Sequence, residues 1–204
     1  MIRLLLVILG VFLGCCALYY AHWVLIRRRL VTIVRDRAYQ SGAMSPQRLI
    51  RCARRLGIAT VVDFRGVNEP RFAEEARALA QTDIRYIHLP VGRDPQPDDV
   101  RRFVTLMAEE RSSGRRVLLH CKDGEGRSIY FAAVYRIEFE GWTPREAWQG
   151  ASRLPPLFRF VSWLCPPAGR FSPRNPKTPL ILGYRRRGTP DGSPPLSGGA
   201  DPLA

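Results

Sequence analysis

The stretch RRVLLHCKDGEGRSIYFAAVYRIEFEG, residues 115–141, decides the fold. Its apolar run ends in His120 and Cys121, and residues 115–121 read as a buried strand. Two glycines and an arginine follow. A helical pattern then runs from Arg127 and stops at Gly141, a helix-ending residue. In sheets built from such strand–turn–helix units, the ligand site lies at the carboxyl ends of the strands. Cys121 stands at one of those ends. A loop between a strand end and a helix N-terminus gathers backbone N–H groups into one concavity, with the helix dipole behind it. Such a nest takes a phosphate-like dianion. Gly124 and Gly126 permit the dihedrals and close approach of a tight loop, and Arg127 offers a planar fork for two anion oxygens. Cys121 lies in the same positive field, which favours thiolate over thiol, and a thiolate under a bound phosphate is a nucleophile. The Ser128 hydroxyl is placed to donate to that sulfur, and His120 to orient the loop through a backbone contact.

Outward from this stretch, strands alternate with helices. Residues 45–57 read as a helix with Ser45 as N-cap, Pro46 at N1 and Gly57 past its end. IATVVDF is a strand, EPRFAEEARALAQ a helix, IRYIHLPV a strand. DDVRRFVTLMAEERSSG is a helix with acids in its first turn. TPREAWQGAS and PLFRFVSWL follow as helices. The alternation predicts an α/β fold, a mostly parallel central sheet flanked by helices. Asp63 and Arg65 read as an ion pair or a brace for the loop, His88 as a packed residue and Cys52 as filler.

HCKDGEGRS resembles the signature loop of the cysteine-dependent protein tyrosine phosphatases: His-Cys, five residues, Arg, then Ser or Thr. The upstream RAYQSGAMSPQRLIRCARRLGIATVVDFRG is similar to the opening of their compact dual-specificity-like branch, a Tyr-x-Ser-Gly strand, a helix and a further strand. The resemblance covers about residues 37–164. It implies that Cys121 attacks phosphorus and that Arg127, with the loop residues Lys122, Asp123, Gly124, Glu125 and Gly126, binds the phosphate. It implies that Ser128 assists thiolate release and that an aspartate from the loop after the preceding strand protonates the leaving group. In VGRDPQPDD that acid is Asp94, with Asp98 and Asp99 as alternatives at a helix start. Asp123 and Glu125 depart from relatives that act on multiply phosphorylated lipids, whose loops are basic. No metal or organic cofactor is implied.

Residues 4–26 carry no charge and reach about 34 Å as a helix, enough for a hydrocarbon core of about 30 Å. Tyr19, Tyr20 and Trp23 fall where an aromatic belt would lie, and the arginines after the span place the bulk of the chain on the cytoplasmic side. The expectation is a transmembrane anchor with its basic flank over 1–29, a phosphatase domain over 30–165 and a disordered Pro/Gly/Arg-rich tail over 166–204. Residues 27–37 read as a juxtamembrane stalk. A cleaved leader needs a shorter apolar core. The net charge is +14, and Lys122 and Lys177 are the only lysines in the chain. Coding bias towards arginine explains that excess as well as a basic ligand surface does; no basic–aromatic interleaving points to nucleic acid. Five irregularly spaced cysteines argue against a disulfide framework or a zinc site. The expected partners are a phosphorylated protein or phospholipid substrate, and a membrane through the N-terminal helix. The functions in play are a protein phosphatase, a phospholipid phosphatase of the phosphatidylglycerophosphate kind, and a non-catalytic phosphate-binding module. A sulfurtransferase or an arsenate reductase fits the upstream segment poorly.

Overall fold

The computed structural model describes residues 2–69, 71–151, 154–158, 171 and 174–186. Helix α1 (Ile2–Ala21) runs on through a π-helical turn, His22–Ile26. Then come β1 (Val31–Val34), β2 (Ala38–Gly42), α2 (Pro46–Leu56), β3 (Ile58–Asp63), α3 (Phe72–Leu79) and β4 (Arg85–His88). These are followed by α4 (Pro97–Ser112), β5 (Arg116–Cys121), α5 (Arg127–Glu140), α6 (Pro144–Gly150), a 3-10 turn (Pro156–Phe158) and α7 (Lys177–Leu182). The sheet order is β1-β2-β5-β3-β4. The pairs β2–β5, β5–β3 and β3–β4 are parallel, and β1 joins β2 antiparallel. This is the α/β architecture expected from the alternation.

Period-two alternation along the strands divides the interior into two cores. Val117, Leu119 and Cys121 of β5 face α4 and α5, where Phe64, Phe103 and Phe131 pack ring against ring. Leu118 faces the other way, with Val61, Leu49 and Ala53 under α2 and α3. Helix α5 is buried along nearly its whole length. It therefore shows no amphipathic stripe, as a helix enclosed on all sides should not.

Three expectations are corrected or bounded. Residues 27–37 are not a free stalk. Val31–Val34 forms the edge strand β1, with Leu30 and Ile33 buried. The segment from Pro166 is not wholly tail. Helix α7 buries Thr178 and Ile181 against α5 and α6, Trp148 Nε1 donates to the Phe171 carbonyl at 3.2 Å, and Tyr184 OH donates to Glu138 at 2.6 Å. Of the helix expected over PLFRFVSWL, only the 3-10 turn at its start lies within the described residues.

Segment Ile2–Ile26 is long and apolar enough to cross a membrane, and no residue of α1 is buried.

Candidate active site

The carboxyl ends of β5, β3 and β4 open into a cavity of about 720 Å³, lined among others by Cys121, Glu125, Gly126, Arg127, Glu69 and Lys177. Cys121 is the last residue of β5 and is buried at its floor. Ser128, in the first turn of α5, brings Oγ to 3.4 Å from Cys121 Sγ. The hydroxyl expected to assist thiolate release is thus in contact with the sulfur.

The loop between them is tight for a reason visible in its backbone. Gly124 sits at φ +72°, and a Cβ there would come within 2.6 Å of the Gly42 nitrogen. A Cβ on Gly42 would in turn lie 3.0 Å from the Asp123 carbonyl carbon and oxygen, and Ala43 N donates to the Lys122 carbonyl. The glycine that ends β2 therefore exists to let the signature loop lie against it. Gly126 is different: its φ is −126°, and a Cβ there would meet only Lys177 Cε at 3.8 Å. The loop acids also find an explanation. Arg29 pairs with the Glu125 carboxylate and donates to the Asp123 carbonyl at 3.1 Å, while Arg28 Nε donates to Ala43 O at 2.8 Å. Both arginines adopt positive φ to do so. The arginine following the apolar span thus offsets the charge of Glu125.

Arg127 is oriented before any ligand arrives. Its Nη1 donates to the Phe64 and Val91 carbonyls and to Glu69 Oε1 at 2.6 Å, and Nη2 donates to Glu69 Oε2 at 2.9 Å. Burial works against the guanidinium, but Glu69 and Cys121 outweigh it and hold its pKa above the ordinary value. The bond to Arg127, first, holds the Glu69 carboxyl below its ordinary value. Glu69 was not foreseen, and no periodicity marks it.

Glu69 Oε1 also accepts the Gly66 N–H at 2.9 Å, next in the chain to a buried ion network. Asp63, at the end of β3, accepts the Arg65 N–H at 2.9 Å and its guanidinium at 2.8–3.1 Å, and Tyr86 OH donates to it at 2.6 Å. Arg65 also reaches Glu75 at 3.0 Å, and His120 Nε2 lies 2.9 Å from the same oxygen. Asp63 and Arg65 are thus the ion pair expected of them. The His120 carbonyl accepts the Phe64 N–H at 3.0 Å, while alternation along β5 turns its side chain towards α3. Burial would raise Asp63, but His120 and Arg65 overcome it and bring its pKa to about 2. Asp63, Glu75 and His120 offer three metal-ligating atoms within 4.8 Å of one another. Arg65, bonded to both carboxylates, already supplies the cation there.

Among the candidate acids, Asp98 and Asp99 serve α4. Asp98 pairs with Arg101, while Asp99 accepts the Gln96 N–H at 2.9 Å and pairs with Arg102 at 2.6 Å. Asp94 has no such structural duty. It is half-exposed on the 91–95 loop, 3.7 Å from Lys177 Nζ. Lys122 is exposed, and Cys52 packs on the opposite face of the sheet from Cys121.

A phosphatase family described as DSP-PTPase fused to NAD+ kinase matches residues 35–152, more than half of the chain. The chain belongs to this family. Its members fall within the cysteine-dependent tyrosine phosphatases. Dual specificity protein phosphatase TpbA of Pseudomonas aeruginosa (strain UCBPP-PA14) is 33% identical over 100 residues, 48% of this chain and 43% of the relative. Human phosphatidylglycerophosphatase and protein-tyrosine phosphatase 1 is 27% identical over 82 residues, 40% and 41% of the two chains. The crystal structure of P. aeruginosa TpbA shares the fold with a TM-score of 0.54 at 22% identity, covering 78% of this chain and 86% of that one. The chain spans less than half the length of the curated relatives it matches.

Proposed function

We propose that the chain is a membrane-anchored, cysteine-dependent phosphatase that hydrolyses phosphomonoesters on phosphotyrosine or phosphoserine/threonine proteins. The observation that carries this reading is the contact of Cys121 Sγ with Ser128 Oγ at 3.4 Å, in one cavity with the anchored fork of Arg127. Among the described residues, Glu69 and the backbone carbonyls take both Nη1 hydrogens and one on Nη2, leaving Nε and the other Nη2 hydrogen for an anion.

In the first step the Cys121 thiolate forms an S–P bond as the P–O bond to the leaving group breaks. Asp94, protonated, gives its proton to the departing oxygen. Arg127 and the loop amides stabilise the transferring phosphoryl group by position and charge. In the second step water attacks phosphorus and gives a proton to the Asp94 carboxylate. The S–P bond breaks, and the Ser128 hydroxyl donates a hydrogen bond to the thiolate released.

A phospholipid phosphatase is the second reading. It is favoured by Arg29, which joins the end of a membrane-length helix directly to the signature loop. The positive-inside pattern puts the domain on the cytoplasmic face.

The test is p-nitrophenyl phosphate hydrolysis by the full chain in detergent, beside Cys121→Ser under reducing conditions. Turnover should be abolished in the variant. Equal turnover in both would remove Cys121 as nucleophile, and none in the folded parent would favour a binding module. Phosphopeptides set against phosphatidylglycerophosphate in vesicles then separate the two substrate classes.

A further inference from the structure

We propose that Lys177, beyond the segment matched by the family, is a positioning residue that holds the 91–95 loop, and with it the Asp94 carboxyl, over the signature loop. This rests on Asp94 being the leaving-group acid. Lys177 Nζ donates to the Arg93 carbonyl at 2.6 Å and lies 3.7 Å from Asp94 Oδ1. Its stem passes Gly126, where a Cβ would lie in ordinary contact with the Lys177 Cε, at 3.8 Å. One side chain therefore touches the acid loop and passes the start of α5.

The lysine is delivered by a pinned segment. Trp148 holds the Phe171 carbonyl, and Asn175 Oδ1 accepts the Lys177 N–H at 2.9 Å. Beyond the helix, Tyr184 bonds Glu138. Lys177 itself is buried, which is rare for an ammonium without a purpose. Burial draws its pKa down, Arg93 and Arg127 add to that, and Asp94 opposes it. This arginine-rich chain carries a lysine at this position. A compact ammonium with rotatable donors fits where a broad guanidinium fork would not.

The test uses aryl phosphates of graded leaving-group pKa with the full chain in detergent, comparing Lys177→Met, Asp94→Asn and the double variant. Asp94→Asn should lose at least ~10²-fold in kcat on a poor leaving group such as phenol and much less on p-nitrophenol. Lys177→Met should show the same selectivity at about tenfold, with KM little changed, and the double variant should be no worse than Asp94→Asn alone. If Lys177→Met does not fold, Lys177→Gln takes its place. An equal loss on every leaving group with raised KM would overturn the proposal, because Lys177 would then bind phosphate directly. A fully additive double variant would overturn it too. If Asp94→Asn itself shows no leaving-group selectivity, the acid assignment fails first. If Asp94→Asn shows it and Lys177→Met does not, only the role of Lys177 fails.

Discussion

The signature loop is held from below by backbone against backbone, whereas the rim of the same cavity is held by side chains reaching in from separate segments. Below, Gly124 and Gly42 meet with no room for a Cβ between them. At the rim, Glu69 grips Arg127, and Lys177 grips the Arg93 carbonyl. Backbone packing is all-or-none, because a displaced strand end moves every amide of the nest. A side-chain grip can loosen by degrees. The nucleophile is therefore set by the rigid half, and orientation of Arg127 and the acid by the adjustable half.

The largest expected effect breaks the rigid half. Gly124→Ala forces a Cβ to 2.6 Å from Gly42 N at a φ that favours glycine. The loop has to shift, and a misplacement of order 1 Å costs about 10²-fold in turnover. The expected result is a loss of at least that size in kcat on p-nitrophenyl phosphate. Near-normal turnover would mean that the loop moves freely, and the contrast with the rim would collapse.

Glu69→Gln tests the adjustable half. Arg127 keeps its carbonyl partners but loses the carboxylate that sets its fork. We expect kcat/KM to fall about tenfold, well short of the loop variant. The sign of the pH effect follows from the Glu69 carboxyl, held below its ordinary value first by Arg127. A depressed carboxylate stabilises the fold above its unfolded pKa, about 4.3, and loses that contribution as pH falls through the folded value. Thermal unfolding of parent and variant should therefore differ at pH 7 and converge in acid. A difference that grows in acid would show that the Glu69–Arg127 pair does not stabilise the fold.

Of the rigid half, the signature loop was legible in the sequence because it is local, whereas its packing on the distant Gly42 was not. A strand, a glycine turn and a helix start lie within residues 115–141, and period-two and helical patterns place Cys121, Arg127 and Ser128 at one strand end. The adjustable half depends on contacts across long separations. Glu69 lies 58 residues from Arg127, and Lys177 lies 84 from Arg93. No local pattern marks either residue. Lys177 was hidden by the prolines and glycines around α7, which read as tail until Ile181 and Thr178 are seen buried. Strand β1 was hidden for a related reason. Its four residues sit between arginine clusters, so charge masked the β-branched VTIV, and only pairing with β2 reveals it.

The smallest expected effect separates the acid loop from the helix beside it. Asp99 accepts the Gln96 N–H and pairs with Arg102 at the start of α4. Replacing it with Asn removes the negative charge from the positive end of the helix dipole and weakens the cap. That costs about 1 kcal/mol, or roughly 2–4 °C in melting temperature for a chain of this size. The charge lies within five residues of Asp94, yet it acts on the helix and not on the leaving group. Thermal unfolding should therefore shift by a few degrees, while kcat on phenyl phosphate stays within about twofold of the parent. A selective loss on that substrate with an unchanged melting temperature would instead move the proton donor from the 91–95 loop to the start of α4. The grip of Lys177 on Arg93 would then have no acid to position.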